Sequence, residues 1–160
     1  TIDGPLLEEL FPMGEVLSDV HWETHDGRTR LPAHLDEAHT AESSRGKAGI
    51  TFGRQIGAYP ILIGVEYHIP LETQSDVVIT GHGARSITGV EINLDHERMT
   101  QKHLEAIPGI GEKTAWKLIS QRAKRKRKAR DEAAYTDPEA WFKATSIDWD
   151  EKYSCYFQNN

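Results

Sequence analysis

The stretch LEAIPGIGEKTAWKLI, residues 104–119, is the most informative part of this chain for its fold and its function. An apolar helical segment stops at Pro108, passes through the Gly-Ile-Gly of residues 109–111, and resumes as a second helix from Glu112. Two glycines one residue apart allow a sharp turn with positive φ, which residues with a side chain resist. The amides at the start of the second helix then point outward at the positive end of its dipole, so the stretch predicts a phosphate-binding turn.

The same stretch resembles the helix-hairpin-helix motif of sequence-independent nucleic-acid binders, whose core reads hydrophobic-x-x-hydrophobic-Pro-Gly-hydrophobic-Gly. The resemblance implies that Gly109, Ile110 and Gly111 hold a sugar-phosphate backbone through their amides. It also implies that Ile110 packs inward and that Lys113 is the assisting cation. An ordinary helical turn with glycine caps is the alternative. The apolar frame favours the motif, because the inward positions of both helices are apolar: Leu104, Ile107, Ala115, Leu118 and Ile119.

The net charge of −6 hides a strong asymmetry along the chain. Residues 1–97 carry 6 basic and 16 acidic side chains (net −10), residues 98–130 carry 11 and 2 (net +9), and residues 131–160 carry 2 and 7 (net −5). Clustered positive charge is expected where a phosphate backbone binds. Charge and motif together predict these nucleic-acid-binding residues: Gly109, Ile110, Gly111, Lys113, Thr114, Lys117, Arg122, Lys124, Arg125, Lys126, Arg127 and Lys128.

The basic run at residues 124–128 has no apolar position, and five neighbouring cations repel one another. We expect this helix end to fray without a partner, and a solvated tail is the alternative to a binding role. The acidic remainder of the chain suggests a source that lives in high salt, although an ordinary acidic protein has the same composition. At about 1 M salt the Debye length is only about 3 Å, so binding would then depend on short hydrogen bonds at the turn.

Residues 1–97 alternate in the manner of strands and predict a small β-barrel or sandwich. The candidate strands, separated by glycines, prolines and turn signals, are residues 16–23, 29–31, 50–52, 61–65, 76–80 and 86–90. Residues 32–49 are polar and rich in small residues and histidine, which predicts a long loop or a flexible insertion. Closing the strands into a barrel would remove exposed edges.

Residues 98–160 are predicted to be helical, which makes the fold class α+β with the barrel first and the hairpin domain second. Thr100 is the expected N-cap of the first hairpin helix, residues 101–107. A capping box with an early proline at residues 136–139 starts a further helix. Apolar residues near the end of the chain are expected to pack on the hairpin helices: Ile147, Trp149, Tyr153, Tyr156 and Phe157.

The barrel region carries a second resemblance, through residues 52–64 (FGRQIGAYPILIG) and residues 81–89 (GHGARSITG). These segments resemble the C-terminal region of archaeal radical SAM proteins that end in a helix-hairpin-helix. They are also similar to a TRAM-type barrel, a small OB-like RNA-binding domain. The resemblance spans residues 16–119 and implies that Arg54 and Arg85 contact nucleic acid, RNA rather than DNA. A structural salt bridge with a nearby carboxylate is the alternative for each arginine.

A radical SAM parent would use a 4Fe-4S cluster and S-adenosylmethionine, with three cysteines at CxxxCxxC spacing holding the cluster. This chain has a single cysteine, Cys155, so we expect it to contain no cofactor, metal site or catalytic residue of that reaction. Its start at Thr1 rather than Met favours a piece of a longer protein, whose catalytic domain would be a further partner.

Three functions fit the sequence. The first is a nucleic-acid-binding accessory region of a radical SAM enzyme, and the second is a protein-interaction module that docks the catalytic domain or a subunit. The third is a small enzyme that uses His82 with Arg54 and Arg85, for which no orienting partner is evident. No membrane span or signal peptide is apparent, and we expect a cytoplasmic protein without a membrane partner.

Overall fold

A computed structural model describes residues 8–25, 45–56, 61–83, 86–129 and 137–158. For residues 126–129 it describes the backbone only. The chain divides into two compact units, Thr1–Glu91 and Ile92–Asn160. The first unit contains the strands, with helical residues at 8–10, and the second contains the longer helices, so the fold class is α+β with a small barrel, as predicted. The second unit begins a few residues before the predicted boundary at 97, because Leu94 pairs with Phe157 in an isolated parallel bridge.

Five strands form the first unit as a closed barrel in the order β1-β2-β3-β5-β4. Their bounds are β1 Val16–His25, β2 Ala48–Gln55, β3 Leu62–Tyr67, β4 Gln74–His82 and β5 Ser86–Glu91. Every neighbouring pair is antiparallel except β3 and β5, which run parallel. Since β4 returns to pair with β1, the backbone hydrogen-bonding groups along the sheet are used within the barrel itself.

Alternating apolar residues explain why these segments form strands with one face inside the barrel. In β1, Asp19 has φ 55 and the register to β4 shifts between Leu17 and Val20, so Leu17 and Val20 both remain buried. The most deeply buried side chains of the barrel include Val20, Trp22, Ile63, Val65, Tyr67, Val77, Ile79, Ile87 and Val90. Side chains from β1, β3, β4 and β5 therefore fill most of the barrel core. The buried residues of β2 are Thr51 and Gly53, which are small.

Gly53 is required by the close approach of β1 to β2. A Cβ at this position would lie 2.3 Å from the carbonyl oxygen of His21 and 2.9 Å from the ring of Trp22. No rotation of a flexible side chain relieves a contact with a backbone oxygen. The glycine after Phe52 thus sets how tightly the first two strands pair.

The predicted strands at 16–23, 50–52, 76–80 and 86–90 lie within observed strands, and the one at 61–65 begins one residue before β3 and ends two residues short of its end. The predicted insertion at 32–49 extends too far, because β2 begins at Ala48 and its Ala48 pairs with Tyr67. Residues 48 and 49 are small and lack alternation, so they resemble loop residues although they occupy strand positions. The candidate strand at 29–31 and most of the insertion lie outside the described residues.

In the described part of the second unit the structure has three α-helices and a 3₁₀ helix: α1 Gln101–Ala106, α2 Glu112–Ala129, α3 Pro138–Ala144 and the 3₁₀ helix Glu151–Tyr156. Thr100 caps α1 as predicted, its hydroxyl accepting from the His103 N–H while the His103 Nδ1 accepts from the Thr100 N–H. The N-cap of α3 is Asp137 rather than Thr136, because the Asp137 carboxylate accepts from the Ala140 N–H at 2.7 Å. Pro138 follows as the first helical residue, where its missing N–H needs no partner.

The core of the second unit joins α2 to α3 and the C-terminal aromatic residues. Trp141 is fully buried, and its indole N–H donates to the Leu118 carbonyl oxygen at 2.9 Å. Phe142 is the centre of the aromatic cluster, in contact with the rings of Trp149, Tyr153 and Phe157. The C-terminal aromatics therefore pack chiefly around Phe142, an arrangement more specific than the predicted packing on the hairpin helices.

We predict that Gly53→Ala lowers the free energy of unfolding of the barrel by about 3 kcal/mol, since the new methyl group must displace backbone. Gly81→Ala is the matched control in β4, because its Cβ would be 3.7 Å from the nearest atom, in Thr88. The control should change stability by less than about 0.5 kcal/mol. Chemical denaturation of both variants measures the difference, and equal effects would contradict the close approach of β1 to β2.

Candidate nucleic-acid interface

The turn between α1 and α2 is held by short backbone hydrogen bonds and by one buried side chain. The Ile107 N–H donates to the Leu104 carbonyl at 3.1 Å, and the Ile110 N–H donates to the Ile107 carbonyl at 3.0 Å. Gly109 has φ 94, a left-handed conformation that favours glycine. The Ile110 side chain is 4% exposed, which confirms the prediction that it packs inward.

The two glycines of the turn have different surroundings. A Cβ at Gly109 would lie 3.0 Å from the hydroxyl oxygen of Tyr153, so this side of the turn is backed by the 3₁₀ helix. A Cβ at Gly111 would meet nothing within 4 Å, and Gly111 itself is exposed. The turn is therefore covered on one side and open on the side of Gly111.

Gly111 occupies the N-cap position of α2, because its carbonyl oxygen accepts from the Ala115 N–H at 2.9 Å. Within the described residues, no acceptor is present for the N–H groups of Glu112, Lys113 and Thr114, as the geometry of a helix start requires when no side chain caps it. These amides lie at the positive end of an 18-residue helix. An anionic oxygen could approach them past Gly111 without meeting a side chain.

The predicted cations of α2 are distributed along the helix. Lys113, Lys117, Lys124 and Arg125 are exposed. The helix continues through the basic run to Ala129, which differs from the expected fraying. Thr114, next to Lys113, is half-buried. The side chains of Lys126, Arg127 and Lys128 are not among those that the structure describes.

Arg122 has a structural role that the sequence did not suggest. Its Nη1 donates to the His96 carbonyl oxygen at 2.7 Å, and its guanidinium carbon lies 5.3 Å from the centre of the Trp141 ring. Burial lowers the pKa of Arg122, an effect that the carboxylates of Asp95 and Glu97 partly offset. We therefore assign this arginine to the core of the helical unit rather than to the interface.

The predicted barrel residues are not assembled into a site by the described residues. Arg54 is exposed on β2 and pairs in register with His21 on β1. Arg85 lies outside the described residues. The Nε2 of His82 is within hydrogen-bonding distance of the Phe11 carbonyl oxygen, so this ring nitrogen has a backbone partner.

A second barrel arginine, Arg45, is engaged with the buried carboxylate of Glu91. The Glu91 N–H donates to the hydroxyl oxygen of Tyr67 at 3.0 Å. Burial, together with the Glu91 carboxylate, raises the pKa of Tyr67 well above its usual range. Arg45 thus pairs with a carboxylate of the barrel interior. Arg54, in contrast, is an exposed cation on β2.

Sequence reasoning missed one residue of the candidate interface, Trp116, and did not identify the contact of another, Tyr153. Trp116 is 60% exposed on α2, although its neighbours Ala115 and Leu118 are fully buried. Helical periodicity was sufficient to find it, because position 116 lies off the apolar stripe that positions 115, 118 and 119 form. Tyr153 was predicted to pack on the hairpin helices, but it is more than 40 residues from the turn that it backs, and no local signal identifies Gly109 as its contact.

The described residues contain no group of three His, Cys, Asp or Glu side chains placed to hold a metal ion. Cys155 is exposed, and partial burial raises the pKa of its thiol. None of the described helices is both long and apolar enough to cross a membrane.

Two archaeal proteins, both described only as uncharacterized, are similar to this chain. The chain is 30% identical over 108 residues to the one from Archaeoglobus fulgidus, a stretch that includes 68% of this chain and 16% of that protein. It is 29% identical over 89 residues to the one from Methanocaldococcus jannaschii, with 55% and 13% covered. The chain thus spans about a sixth or less of the length of these relatives. No protein-family model and no solved structure matches it.

We predict that Gly109→Ala lowers the free energy of unfolding of the helical unit by about 1–2 kcal/mol, because alanine resists φ 94 and its methyl group contacts Tyr153. Gly111→Ser is the matched control, since its side chain enters open space and serine is a good N-cap. The control should leave stability unchanged or slightly higher. Thermal unfolding of both variants tests whether the two glycines differ. Equal losses of unfolding free energy would contradict the conclusion that Gly109 is packed against Tyr153 while Gly111 is open.

Proposed function

We propose that this region is a non-catalytic nucleic-acid-binding module that holds a phosphate backbone at the turn of residues 109–111. The observation that carries the proposal is the open side of the turn at Gly111, where the first amides of α2 have no acceptor within the described residues. Backbone N–H groups at a helix start, with glycine in front of them, suit an anionic oxygen in both geometry and charge. The exposed cations Lys113 and Lys117 add attraction along the next turns.

A helix-hairpin-helix assignment for residues 104–119 is supported by the inward side chains. Leu104, Ile107 and Ile110 are buried on one side of the turn, and Ala115 and Leu118 are buried on the other. Ile110 holds the turn against the helices while the backbone on either side stays exposed. A buried side chain flanked by exposed backbone is what we expect of a binding hairpin, and a turn that only reverses the chain does not need it.

An OB-type or TRAM-like assignment for the barrel is supported by its strand order. The order β1-β2-β3-β5-β4 with a single parallel pair, β3 with β5, agrees with a five-stranded Greek-key barrel of the kind that binds oligonucleotides. We propose RNA in preference to DNA on this basis, with Arg54 as a contact on β2. A cytoplasmic location follows from the same proposal, since the nucleic acid would be found there.

A radical SAM parent remains part of the proposal, but its cluster does not fit this chain. Three cysteines are needed to hold a 4Fe-4S cluster with one open iron, and the chain has only Cys155, which is exposed in the 3₁₀ helix. We therefore assign no chemical step to these residues. The match to a sixth or less of two longer relatives agrees with an accessory role beside other domains.

A protein-interaction module is the second candidate, favoured by the exposed apolar surface of Trp116. In this case the helical unit would dock the catalytic domain or a subunit. Nucleic acid would then not bind at the turn.

We predict that Gly111→Asp abolishes most nucleic-acid binding, lowering affinity at least tenfold. Asp is a good N-cap, so its carboxylate occupies the open amides and repels the incoming phosphate without destabilising α2. Gly111→Asn has the same shape without the charge and should have an intermediate affinity. Fluorescence anisotropy with a labelled single-stranded RNA octamer measures all three proteins. Binding by the aspartate variant equal to that of the native chain would contradict the proposal.

The salt dependence of affinity provides a separate prediction for Lys113. Lys113→Gln should reduce the slope of log affinity against log salt by about one, because one fewer counterion is released. Lys143→Gln is the matched control in the same unit, where the ammonium already faces the Glu139 carboxylate at 3.8 Å. Its slope should equal that of the native chain. Equal slopes for all three proteins would exclude Lys113 as a phosphate contact.

A further inference from the structure

A surface groove lies along α2, within the helical unit. It has a volume of about 340 Å³ and is formed by α2 and by the residues that follow α3. Trp116, Lys117 and Lys124 line it from α2, and Thr145 and Ser146 line it from the other side. None of its lining residues is acidic, although the chain as a whole carries a net charge of −6.

The exposure of Trp116 is not explained by the packing of the helical unit. Its side chain is 60% exposed, whereas Trp22 and Trp141 are almost completely buried and Trp149 packs against Phe142. The core of the unit uses the opposite face of α2, through Ala115 and Leu118. Exposed tryptophan at the wall of a basic groove is typical of a surface that receives a flat ring.

The register of α2 aligns this tryptophan with the cations and the open turn. Lys113, Lys117, Ser120 and Lys124 follow one another at spacings of four, three and four residues, and Trp116 lies three residues after Lys113 and four before Ser120, so all five lie on one side of the helix. This face is about 16 Å long at the usual helical rise. Its N-terminal end is the exposed backbone of Gly111.

We propose that this groove binds single-stranded nucleic acid, with an unpaired base stacked on the Trp116 indole and flanking phosphates near Lys117 and Lys124. The inference rests on the proposed function, to which it adds the class of nucleic acid. An unpaired base has a free face for stacking, whereas the bases of a duplex are already stacked on their neighbours. The hydroxyl groups of Ser120, Thr145 and Ser146 can donate to or accept from the edge of the base.

Alternating cations and an aromatic ring agree with this ligand better than with a protein segment. Lysines on both sides of Trp116 complement a polyanion, and the groove offers no carboxylate to an incoming basic peptide. Stacking on Trp116 would accept any base, and the turn would bind the phosphate backbone. The two contacts agree with each other, because neither depends on the identity of a base.

Anisotropy measurements on the full chain test the inference, with fluorescein-labelled octauridylate and an eight-base-pair RNA duplex as probes. Trp116→Ala should lower affinity for octauridylate tenfold or more and change affinity for the duplex less than twofold. Trp116→Phe retains an aromatic ring and should stay within about threefold of the native chain. Ile56→Ala is the matched control, because it removes another exposed apolar side chain, 74% exposed on the barrel unit.

The possible outcomes separate this inference from the proposed function. If Trp116→Ala leaves octauridylate binding unchanged while Gly111→Asp weakens it, the stacking role is overturned and the phosphate-binding turn stands. Equal losses for octauridylate and duplex would also overturn it. Absence of binding to either probe by the native chain would overturn both proposals. A dimer in sedimentation that Trp116→Ala dissociates, with octauridylate affinity unchanged, would assign this face to self-association.

Discussion

Burial of Ile110 between two exposed stretches of backbone is the constraint on which the candidate interface depends. The side chain packs inward at 4% exposure, while Gly109 adopts φ 94 and Gly111 stays open. Because the turn is held from inside, Gly111 stays open and places no side chain in front of the Glu112, Lys113 and Thr114 amides, for which no acceptor is present within the described residues. Tyr153 supports the same geometry from the 3₁₀ helix. A phosphate site of this kind is made of backbone, so its charge and shape persist when surface side chains change.

The proposed binding mode predicts tolerance of high salt. The long-range field of the basic run weakens as ionic strength rises, whereas hydrogen bonds to backbone amides act at contact distance. The stacking proposed for Trp116 would likewise be short-ranged and would release no counterion. In a chain that is acidic outside residues 98–130, contact interactions of these two kinds would supply most of the affinity at high salt, and the cations would set the rate of encounter.

Features with a local cause were predictable from the sequence. Strand alternation located the barrel segments, and Thr100 and the Gly-Ile-Gly turn located the helix starts, because each signal lies within a few residues of its effect. Long-range contacts were not predictable in this way. Arg122 was counted as a free cation, yet it packs on Trp141 and bonds to the His96 carbonyl, both more than 15 residues away. Tyr153 backs Gly109 for reasons that only the packed aromatic cluster supplies.

Residue-resolved NMR titration of the full chain with octauridylate tests the central claim most directly. The account predicts that the backbone amide signals of Gly111, Glu112, Lys113 and Thr114 shift first, together with the indole N–H signal of Trp116. The shifts of the backbone amides should persist at high salt, because they report contact hydrogen bonds. Saturable binding that shifts only signals of the barrel unit, and leaves these amides unmoved, would contradict a phosphate-binding turn.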